Sequence, residues 1–355
     1  MRFGFVKSGL LYCFCAATFC AHPTSRTNLQ TPNQKHSNNS ATHKEIVHTE
    51  TTKEGFKFKV KISAPSTSCP DKRWPGVLLI PGSMPSDVDH TLPGKFHGKK
   101  LTVSGNEIAL WPPFVDALNR AGFVVARYGK RGVRKTLVDV DALAYRSTSM
   151  TNQIIDTRRA LSLLREHPCV DKKRLALLAW SEGTIVAPRV ADVEKGIRTL
   201  VLIGAVGSSF RELIIDGFPT QKKGEAFVQS ILQMPDQKMI GTDRPAIRVK
   251  EIIAQGANTS YIRRLKIPVF VAHGRNDAET PVKQARLIEK ELGNVSNIES
   301  KVKIYPGLGH ILSPIDPDDP TDRLYDLPDP GALKDIVDWL KDRLIPTKVH
   351  VDYRW

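Results

Sequence analysis

Aromatic residues are scarce in this sequence of 355 residues, at only 7%. Concentrated runs of positive charge are scarce as well. Lysine and arginine give a formal net charge of +15 at pH 7, but they are scattered along the chain. There is no long basic block, no zinc-finger spacing and no basic stripe interleaved with aromatic residues. We therefore interpret the charge as a solvated basic surface and expect no nucleic-acid partner.

Long hydrophobic runs are scarce too, and the one at the N-terminus is too short to cross a bilayer. Residues 9–21 follow Arg2 and Lys7 and have the length of a signal-peptide core. We predict a signal peptide over residues 1–21 rather than a short uncleaved anchor. This signal peptide predicts a secreted or periplasmic protein, with no stable membrane insertion after the signal is removed. Residues 22–44 contain almost nothing that could be buried, which predicts a disordered leader.

Cysteine is rare as well, with five residues, three of them inside the predicted signal peptide. The remaining two are Cys69 and Cys169, an even pair in a compartment that we expect to be oxidising. Each lies shortly before a predicted strand, at 77–80 and at 175–179. If those strands are neighbours in a parallel sheet, both cysteines lie at the same sheet edge. We predict a disulfide between them, the alternative being two buried thiols.

Strand and helix patterns alternate along most of the chain. Residues 45–64 alternate apolar and polar side chains, which predicts an antiparallel hairpin with its turn at 53–55. Short apolar runs then predict buried strands at 77–80, 123–128, 175–179, 200–204, 269–273 and 301–305. Amphipathic patterns predict helices at 112–121, 151–166, 282–292 and 332–344, and another beginning at Ser181.

This alternation predicts an α/β fold, a mostly parallel central sheet with helices on both faces and one mixed edge. The stretch 208–264 does not fit the alternation and reads as several short helices. It is long for a crossover, so we predict an inserted helical lid there. The core is then formed by residues 45–207 and 265–355, and we find no internal repeat.

A serine, an aspartate and a histidine follow three of the predicted strands. Ser181 directly follows the run 175–180, and Asp277 follows the strand 269–273. His310 lies in a glycine-rich loop after the last strand. The carboxyl ends of parallel strands share one edge, where sites of such sheets lie. A serine needs a base to remove its proton and an acid to orient that base, and these three can fill those roles. Singly, each could be an ordinary turn, cap or loop residue.

The surroundings of Ser181 fit a nucleophile on a strand-to-helix elbow. The usual elbow pattern is Gly-x-Ser-x-Gly, and here Ala179 stands at the first glycine while Gly183 keeps the second. We interpret alanine as a size-compatible variant. The oxyanion of an acyl-transfer intermediate needs two N–H donors, and the first is predicted to be the backbone of Glu182. For the second, in the loop after 77–80, we favour Ser83, with Met84 next; Ser83 could also be a plain turn residue.

The sequence resembles the α/β-hydrolase superfamily, in particular its bacterial serine esterases with a helical lid. The resemblance covers roughly residues 50–345. Its motifs are PGSM at 81–84, YGKRG at 128–132, AWSEG at 179–183, HGRNDAETPV at 273–282 and YPGLGH at 305–310. It implies the triad Ser181, Asp277 and His310. Glu279, which lies two residues past Asp277, is the reserve acid.

The resemblance further implies ester hydrolysis through an acyl-enzyme, with a small-molecule ester as partner and neither a cofactor nor a metal. Departures from the family pattern lie at Pro81, Gly129, Trp180 and Thr184. Because Trp180 adjoins the nucleophile, we predict that it belongs to the substrate pocket.

Three functions remain open from the sequence. The first is a serine esterase for short or medium acyl groups. The second is a peptidase or thioesterase of the same fold, prolyl-oligopeptidase-like, and the third is a non-catalytic binding protein that keeps the fold. A metal site at Asp87, Asp89 and His90 is the weaker interpretation of those residues, because no further ligand accompanies them. The oligomeric state does not follow from the sequence.

Overall fold

A computed structural model describes residues 44–66, 68–71, 73–241, 243–294, 299–315 and 324–345. The predicted signal peptide and leader lie outside these residues, except for Lys44, which begins the first strand. None of the described helices combines the length and the apolar character needed to span a membrane.

Eight strands form the central sheet. They are β1 (Lys44–Thr51), β2 (Lys57–Ala64), β3 (Trp74–Ile80), β4 (Val124–Tyr128), β5 (Val170–Trp180), β6 (Ile197–Ile203), β7 (Val269–Gly274) and β8 (Lys301–Tyr305). The spatial order is β1-β2-β4-β3-β5-β6-β7-β8. β2 is antiparallel to both neighbours, and the other pairs are parallel. The sheet is therefore mostly parallel with one mixed edge, as predicted.

Ten helices accompany the sheet in the described part of the chain. They are α1 (Pro112–Arg120), α2 (Ala142–Arg146), α3 (Met150–Glu166), α4 (Gly183–Val193), α5 (Phe210–Asp216), α6 (Gln221–Gln233), α7 (Ala246–Ala254), α8 (Asn258–Arg264), α9 (Lys283–Gly293) and α10 (Pro330–Leu344). Local signals set their starts: prolines occupy the first turns of α1 and α10, and a Ser149–Asn152 capping box begins α3.

The helices cover both faces of the sheet and bury its two apolar layers. α1 and α10 pack on one face, and α3, α4 and α9 pack on the other. Alternate side chains of β5 enter the two layers, because successive residues of a strand point to opposite faces. Ile155 is 50% exposed, because the buried stripe of α3 runs through Gln153, Asp156 and Thr157.

The stretch between β6 and β7 contains α5–α8 and one short antiparallel strand pair, Met239–Ile240 with Arg244–Pro245. α7 packs on α3, and α8 packs on α4 and α9. A capping box between Ser209 and Glu212 begins α5. Three further two-stranded ribbons lie in the described loops: Thr91–Leu92 with Ile108–Ala109, Lys95–Phe96 with Lys99–Lys100, and Val133–Lys135 with Asp139–Val140.

The predicted disulfide is present between Cys69 and Cys169, with their Cα atoms 4.9 Å apart. β3 and β5 are parallel neighbours, and Val170 pairs with Trp74 at their amino ends. The Trp74 N–H also donates to the carbonyl of Cys169 at 2.8 Å. The two cysteines therefore meet at one edge because their strands begin side by side, and the bond closes a loop with a sequence separation of 100.

Replacing Cys69 by serine is expected to lower the free energy of unfolding by about 4 kcal/mol, because the bond restricts a long loop in the unfolded chain. Denaturant unfolding of the oxidised protein and the variant measures the difference. Adding a reductant should destabilise the wild type and leave Cys69→Ser unchanged. Equal midpoints for the two oxidised proteins would contradict the pairing.

Candidate active site

Ser181 sits on a sharp turn between β5 and α4. Its φ angle is +54°, in the left-handed region that non-glycine residues rarely adopt. The turn is fixed on both sides: the Ser181 N–H donates to the carbonyl of Ile203 at 2.9 Å, and the Ser181 carbonyl accepts from the N–H and the hydroxyl of Thr184, at 2.8 and 2.6 Å. The surrounding bonds therefore over-determine a strained backbone, which is typical of a nucleophile elbow.

The two small residues around the elbow differ in how strictly they are needed. A Cβ atom on Gly183 would lie 2.7 Å from the carbonyl oxygen of Ile80 and 2.8 Å from that of Pro81, so only glycine fits. Ala179 is fully buried within β5 and pairs with Ile80 in β3 and Leu202 in β6. The fold thus accommodates the extra methyl group at residue 179, where the usual pattern has glycine.

His310 and Asp277 form a buried hydrogen-bonded pair. The imidazole Nδ1 lies 2.8 Å from Asp277 Oδ2. The other carboxylate oxygen accepts from the backbone N–H groups of Thr280 and Glu279, at 2.6 and 2.9 Å. Their loops meet because β7 and β8 are neighbours, with Gly274 paired to Tyr305. Asp277 is therefore anchored by its own turn and presents one oxygen to the imidazole.

The histidine also borders the serine elbow. The Trp180 indole N–H donates to the carbonyl of His310 at 3.1 Å. Gly204 has φ +57°, and a Cβ atom there would lie 2.9 Å from Nδ1 of His310. Since the preceding residue, Ile203, binds the Ser181 N–H, the segment 203–204 contacts both residues. The structure thus brings Ser181, Asp277 and His310 to the same part of the sheet's carboxyl edge.

Glu279 faces the opposite nitrogen of the imidazole. Its Oε2 lies 3.6 Å from Nε2 of His310, and its Oε1 accepts from the Tyr325 hydroxyl at 2.7 Å. Nε2 is the nitrogen that would exchange a proton with a serine, whereas Nδ1 is the one that an orienting acid holds. The geometry therefore favours Asp277 over Glu279 as the orienting acid.

A cleft opens beside Ser181 and encloses about 440 Å³ of empty space, its mouth included. Its walls combine apolar side chains from α4, α5 and the segment after β6 with polar groups at the elbow and after β7. The lining residues are Ser181, Glu182, Ile185, Val206, Phe210, Leu213, Ile214, Arg244, Glu279 and Thr280.

Trp180 does not line this cleft, which corrects the sequence-based prediction. Its side chain is 2% exposed and packs edge-on against the rings of His90 and Trp111, at centroid distances of 4.9 and 6.5 Å. The reason is strand alternation: Ala179 points to the face that carries α4, so Trp180 points to the face of α1 and α10. Trp180 packs against the loop that carries His310, on the side away from the cleft.

The loop after β3 passes directly beside Ser181. A Cβ atom on Gly82 would lie 3.1 Å from Cβ of Ser181, so any side chain at residue 82 would crowd the serine. Ser83 and Met84, the two predicted oxyanion donors of this loop, follow at once. Ser83 is 5% exposed, and its hydroxyl donates to Oδ2 of Asp243 at 2.6 Å. Both backbone N–H groups therefore lie on a loop that the surrounding protein fixes.

The carbonyl of Ser83 accepts from three buried donors. These are the Tyr145 hydroxyl at 2.6 Å, the Lys130 ammonium at 3.2 Å and the Arg248 guanidinium at 3.3 Å. A carbonyl oxygen in three such contacts cannot rotate without removing an acceptor from each of these buried donors, which is costly.

The backbone N–H of Glu182 is the remaining predicted oxyanion donor. The side chain of Glu182 has no solvent exposure. Four groups bind its carboxylate: Gln153 at 2.7 Å, Arg244 at 3.0 Å, and Lys130 and Arg248 at 3.3 Å each. Burial alone would raise the pKa of Glu182, but Lys130, Arg248 and Arg244 outweigh it and hold this pKa well below its usual range. Burial lowers the pKa of Lys130 to about 7, against the opposing effect of Glu182.

The sequence did not reveal this ionic cluster, which consists of Lys130, Glu182, Asp243, Arg244 and Arg248. Lys130 and Glu182 belong to the YGKRG and AWSEG motifs, but only the backbone of Glu182 was given a role. Asp243, Arg244 and Arg248 come from the insert, where their spacing resembles that of ordinary surface residues. The sequence signal for the cluster was Glu182 itself, a motif glutamate beside the serine. If such a residue is buried, it needs cationic partners.

The described residues contain no group of three His, Cys, Asp or Glu side chains placed to hold a metal ion. Asp89 pairs with Lys61 and Arg127, at 2.5 and 2.7 Å. Asp87 accepts from backbone N–H groups, including that of Thr91 at 3.0 Å. His90 is buried beside Trp180, and burial lowers its pKa to about 3. Structural contacts therefore account for Asp87 and Asp89.

Comparisons with known proteins give matches among hydrolases. A family model described as BAAT / Acyl-CoA thioester hydrolase C terminal matches residues 158–322. Esterase EstD of Thermotoga maritima is 25% identical over 266 residues, which is 71% of this chain and 57% of that protein. The chain thus spans little more than half the length of this relative.

Solved structures share the architecture at low sequence identity. A hypothetical protein from Pseudomonas aeruginosa matches with a TM-score of 0.59 and 12% identity, over 89% of this chain and all of that one. The acylaminoacyl peptidase of Pyrococcus horikoshii matches with a TM-score of 0.59 and 11% identity, over 86% and 42% of the two chains. At this identity the likeness shows the fold. Together with the order of strands in the sheet, it shows that the chain has the α/β-hydrolase fold.

Proposed function

We propose that this protein is a serine hydrolase that cleaves carboxylic esters of short or medium acyl groups. One observation carries the proposal: a strained, hydrogen-bonded elbow presents Ser181 to a cleft beside a buried His310–Asp277 pair. The residues also stand in the chain order Ser, Asp, His that belongs to this fold. The relative EstD is an esterase by name, which supports the same chemistry.

In the proposed mechanism, Nε2 of His310 removes the proton from the Ser181 hydroxyl as its oxygen attacks the acyl carbonyl. The tetrahedral oxyanion is held by the N–H of Glu182 and by one from Ser83 or Met84. Asp277 keeps the imidazole oriented and stabilises its protonated form. The imidazolium then protonates the leaving alcohol. Water, deprotonated by His310, then attacks the acyl-enzyme, and the imidazolium returns this proton to the Ser181 oxygen as the acid leaves.

The walls of the cleft suggest the acyl group. Ile185, Val206, Phe210, Leu213 and Ile214 form an apolar side that adjoins the nucleophile. An aliphatic chain gains roughly 0.8 kcal/mol for each methylene that it buries there. Side chains of α4, α5 and the segment after β6 bound the cleft, which favours short or medium chains over polymers.

Cleavage of a thioester or of a peptide bond remains a second candidate reaction for the same site. The matched family model is that of acyl-CoA thioester hydrolases, which favours a thioesterase, and one structural neighbour is an acylaminoacyl peptidase. Both reactions use the same nucleophile and acyl-enzyme. They differ in the leaving group, so a comparison of substrates separates them.

A fluorophosphonate probe is expected to form one covalent adduct per protein, on the Ser181 peptide. Peptide mass spectrometry locates the adduct, and protein unfolded before labelling is the control that should stay unlabelled. In parallel, kcat/KM is measured for nitrophenyl esters of two to twelve carbons, an acyl-CoA and aminoacyl nitroanilides. We expect the esters to exceed the nitroanilides by about 100-fold or more. An adduct elsewhere refutes the serine assignment, and a preference for thioesters or nitroanilides refutes the ester assignment.

We also propose that the protein is exported after removal of a signal peptide and that the helices between β6 and β7 act as a lid. The Cys69–Cys169 bond supports export, since stable disulfides are characteristic of oxidising compartments. The contribution of α5 to the cleft through Phe210, Leu213 and Ile214 supports the lid.

A further inference from the structure

The insert between β6 and β7 sends three charged side chains into the protein interior next to the elbow. Asp243, Arg244 and Arg248 are 3%, 6% and 0% exposed. A fully buried guanidinium is tolerated only where acceptors surround it, because removing its charge from water is costly. The insert therefore docks here through specific polar contacts, in addition to its apolar packing.

Its partners include the two segments that carry the proposed oxyanion donors, besides the Thr148 carbonyl, which accepts from Nε of Arg248 at 3.2 Å. Nη1 of Arg248 lies 3.3 Å from the carbonyl oxygen of Ser83 and 3.3 Å from the carboxylate of Glu182. Oδ2 of Asp243 accepts the Ser83 hydroxyl at 2.6 Å. The Tyr145 hydroxyl lies 2.6 Å from the Ser83 carbonyl and 2.5 Å from that of Asp243. One cluster thus joins the loop after β3, the elbow and the insert.

These bonds constrain the N–H groups through the geometry of the peptide unit. The carbonyl of Ser83 and the N–H of Met84 belong to one planar trans peptide, so fixing the first fixes the direction of the second. The bond to Asp243 holds the Ser83 side chain, and the bonds to Glu182 hold the residue that bears the other N–H. An oxyanion hole depends on donors that are in place before charge develops.

We propose that Asp243 and Arg248 are positioning residues that assemble the oxyanion hole, so that docking of the insert and formation of the hole are one event. This inference rests on the proposed serine hydrolase function. It makes the insert a part of the catalytic apparatus in addition to a cover over the cleft. The hole should be misaligned whenever the Asp243–Ser83 bond or the Arg248 contacts are lost.

The test is steady-state kinetics on Asp243→Ala, Ser83→Ala and Arg248→Gln with the preferred nitrophenyl ester. We expect kcat to fall roughly 10- to 100-fold while KM changes less than about threefold, because the oxyanion exists only in the transition state. Asp243→Asn should recover most of the loss of Asp243→Ala, since an amide oxygen still accepts the Ser83 hydroxyl. The double variant Ser83→Ala/Asp243→Ala should be no slower than the worse single variant, because both changes remove the same bond.

Matched controls come from the insert itself. Arg211→Gln and Asp236→Asn remove exposed pairs, Arg211 with Glu225 and Asp236 with Lys250, and should leave kcat unchanged. Each variant is assayed well below its thermal midpoint, so that unfolding does not mimic slow turnover. Ser83→Ala deletes one oxygen and keeps the test valid if Arg248→Gln fails to fold.

The inference is overturned if the variants lower only the thermal midpoint, if KM alone rises, or if the Ser83 and Asp243 losses simply add. Failure of the proposed function looks different: the wild-type protein would then leave Ser181 unlabelled by fluorophosphonate and hydrolyse no ester. Wild-type labelling combined with unchanged kcat in Asp243→Ala rejects the positioning role alone.

Discussion

Replacing Ser181 by alanine is expected to lower kcat for the preferred ester by about 10⁵- to 10⁶-fold, the size of effect seen when a triad serine is removed from a serine hydrolase. The substitution deletes only the oxygen that would form the acyl-enzyme. The fold should persist, because the turn at Ser181 is held by backbone bonds to Ile203 and Thr184 that alanine retains. Kinetics and a thermal midpoint within a few degrees of the wild type check both statements.

Ser63→Ala is the matched control for this loss. Ser63 is also buried, and its hydroxyl donates to Oδ1 of Asn119 at 2.6 Å. Loss of that bond should lower stability by about 1 kcal/mol and leave kcat unchanged. If Ser181→Ala keeps a tenth or more of the wild-type kcat, with active sites counted by fluorophosphonate titration, the nucleophile lies elsewhere.

The elements that place the candidate triad could be predicted from the sequence because their signals are local. The run at 301–305 matches β8, and the pattern at 151–166 matches α3 to within one residue. Buried parallel strands are continuous apolar runs, and their order along the chain puts the residues after them at one edge. The disulfide followed from the same reasoning, since β3 and β5 begin side by side.

The remaining features depend on contacts between distant parts of the chain. Trp180 is adjacent to the nucleophile in sequence but points away from the cleft, and only the packed sheet decides which face is which. Arg248 binds a carbonyl 165 residues away, at Ser83, and nothing in its neighbourhood distinguishes it from a surface arginine. Burial of a charge is decided by which acceptors the fold assembles, so the ionic cluster lay beyond any reading of local pattern.

Asp277→Asn is expected to lower kcat by about 10⁴-fold, an effect known for the orienting aspartate of a serine triad. The structure supplies the reason. Oδ1 of Asp277 accepts two backbone N–H groups, those of Glu279 and Thr280, so an asparagine should place its own carbonyl oxygen there. Its NH₂ group then faces Nδ1 of His310 in place of Oδ2. Nδ1 must become an acceptor, which moves the imidazole proton to Nε2.

An imidazole protonated at Nε2 cannot take the proton of Ser181, so the base is lost while the fold and the cleft are kept. The thermal midpoint and KM should therefore change little, and kcat should carry nearly all of the effect. Stopped-flow measurement of acylation by a nitrophenyl ester isolates the affected step, because release of nitrophenol reports attack by the serine before hydrolysis of the acyl-enzyme.

Glu279→Gln is the matched comparison for that prediction, since it makes the same carboxylate-to-amide change two residues along. Glu279 lies 3.6 Å from Nε2 of His310 and accepts the Tyr325 hydroxyl at 2.7 Å. A carboxylate at Nε2 competes with the serine for the imidazole and does not orient it, so the change should alter kcat by less than about 10-fold. If Glu279→Gln costs more than Asp277→Asn, then Glu279 is the orienting acid and the ring of His310 is reversed in the working enzyme.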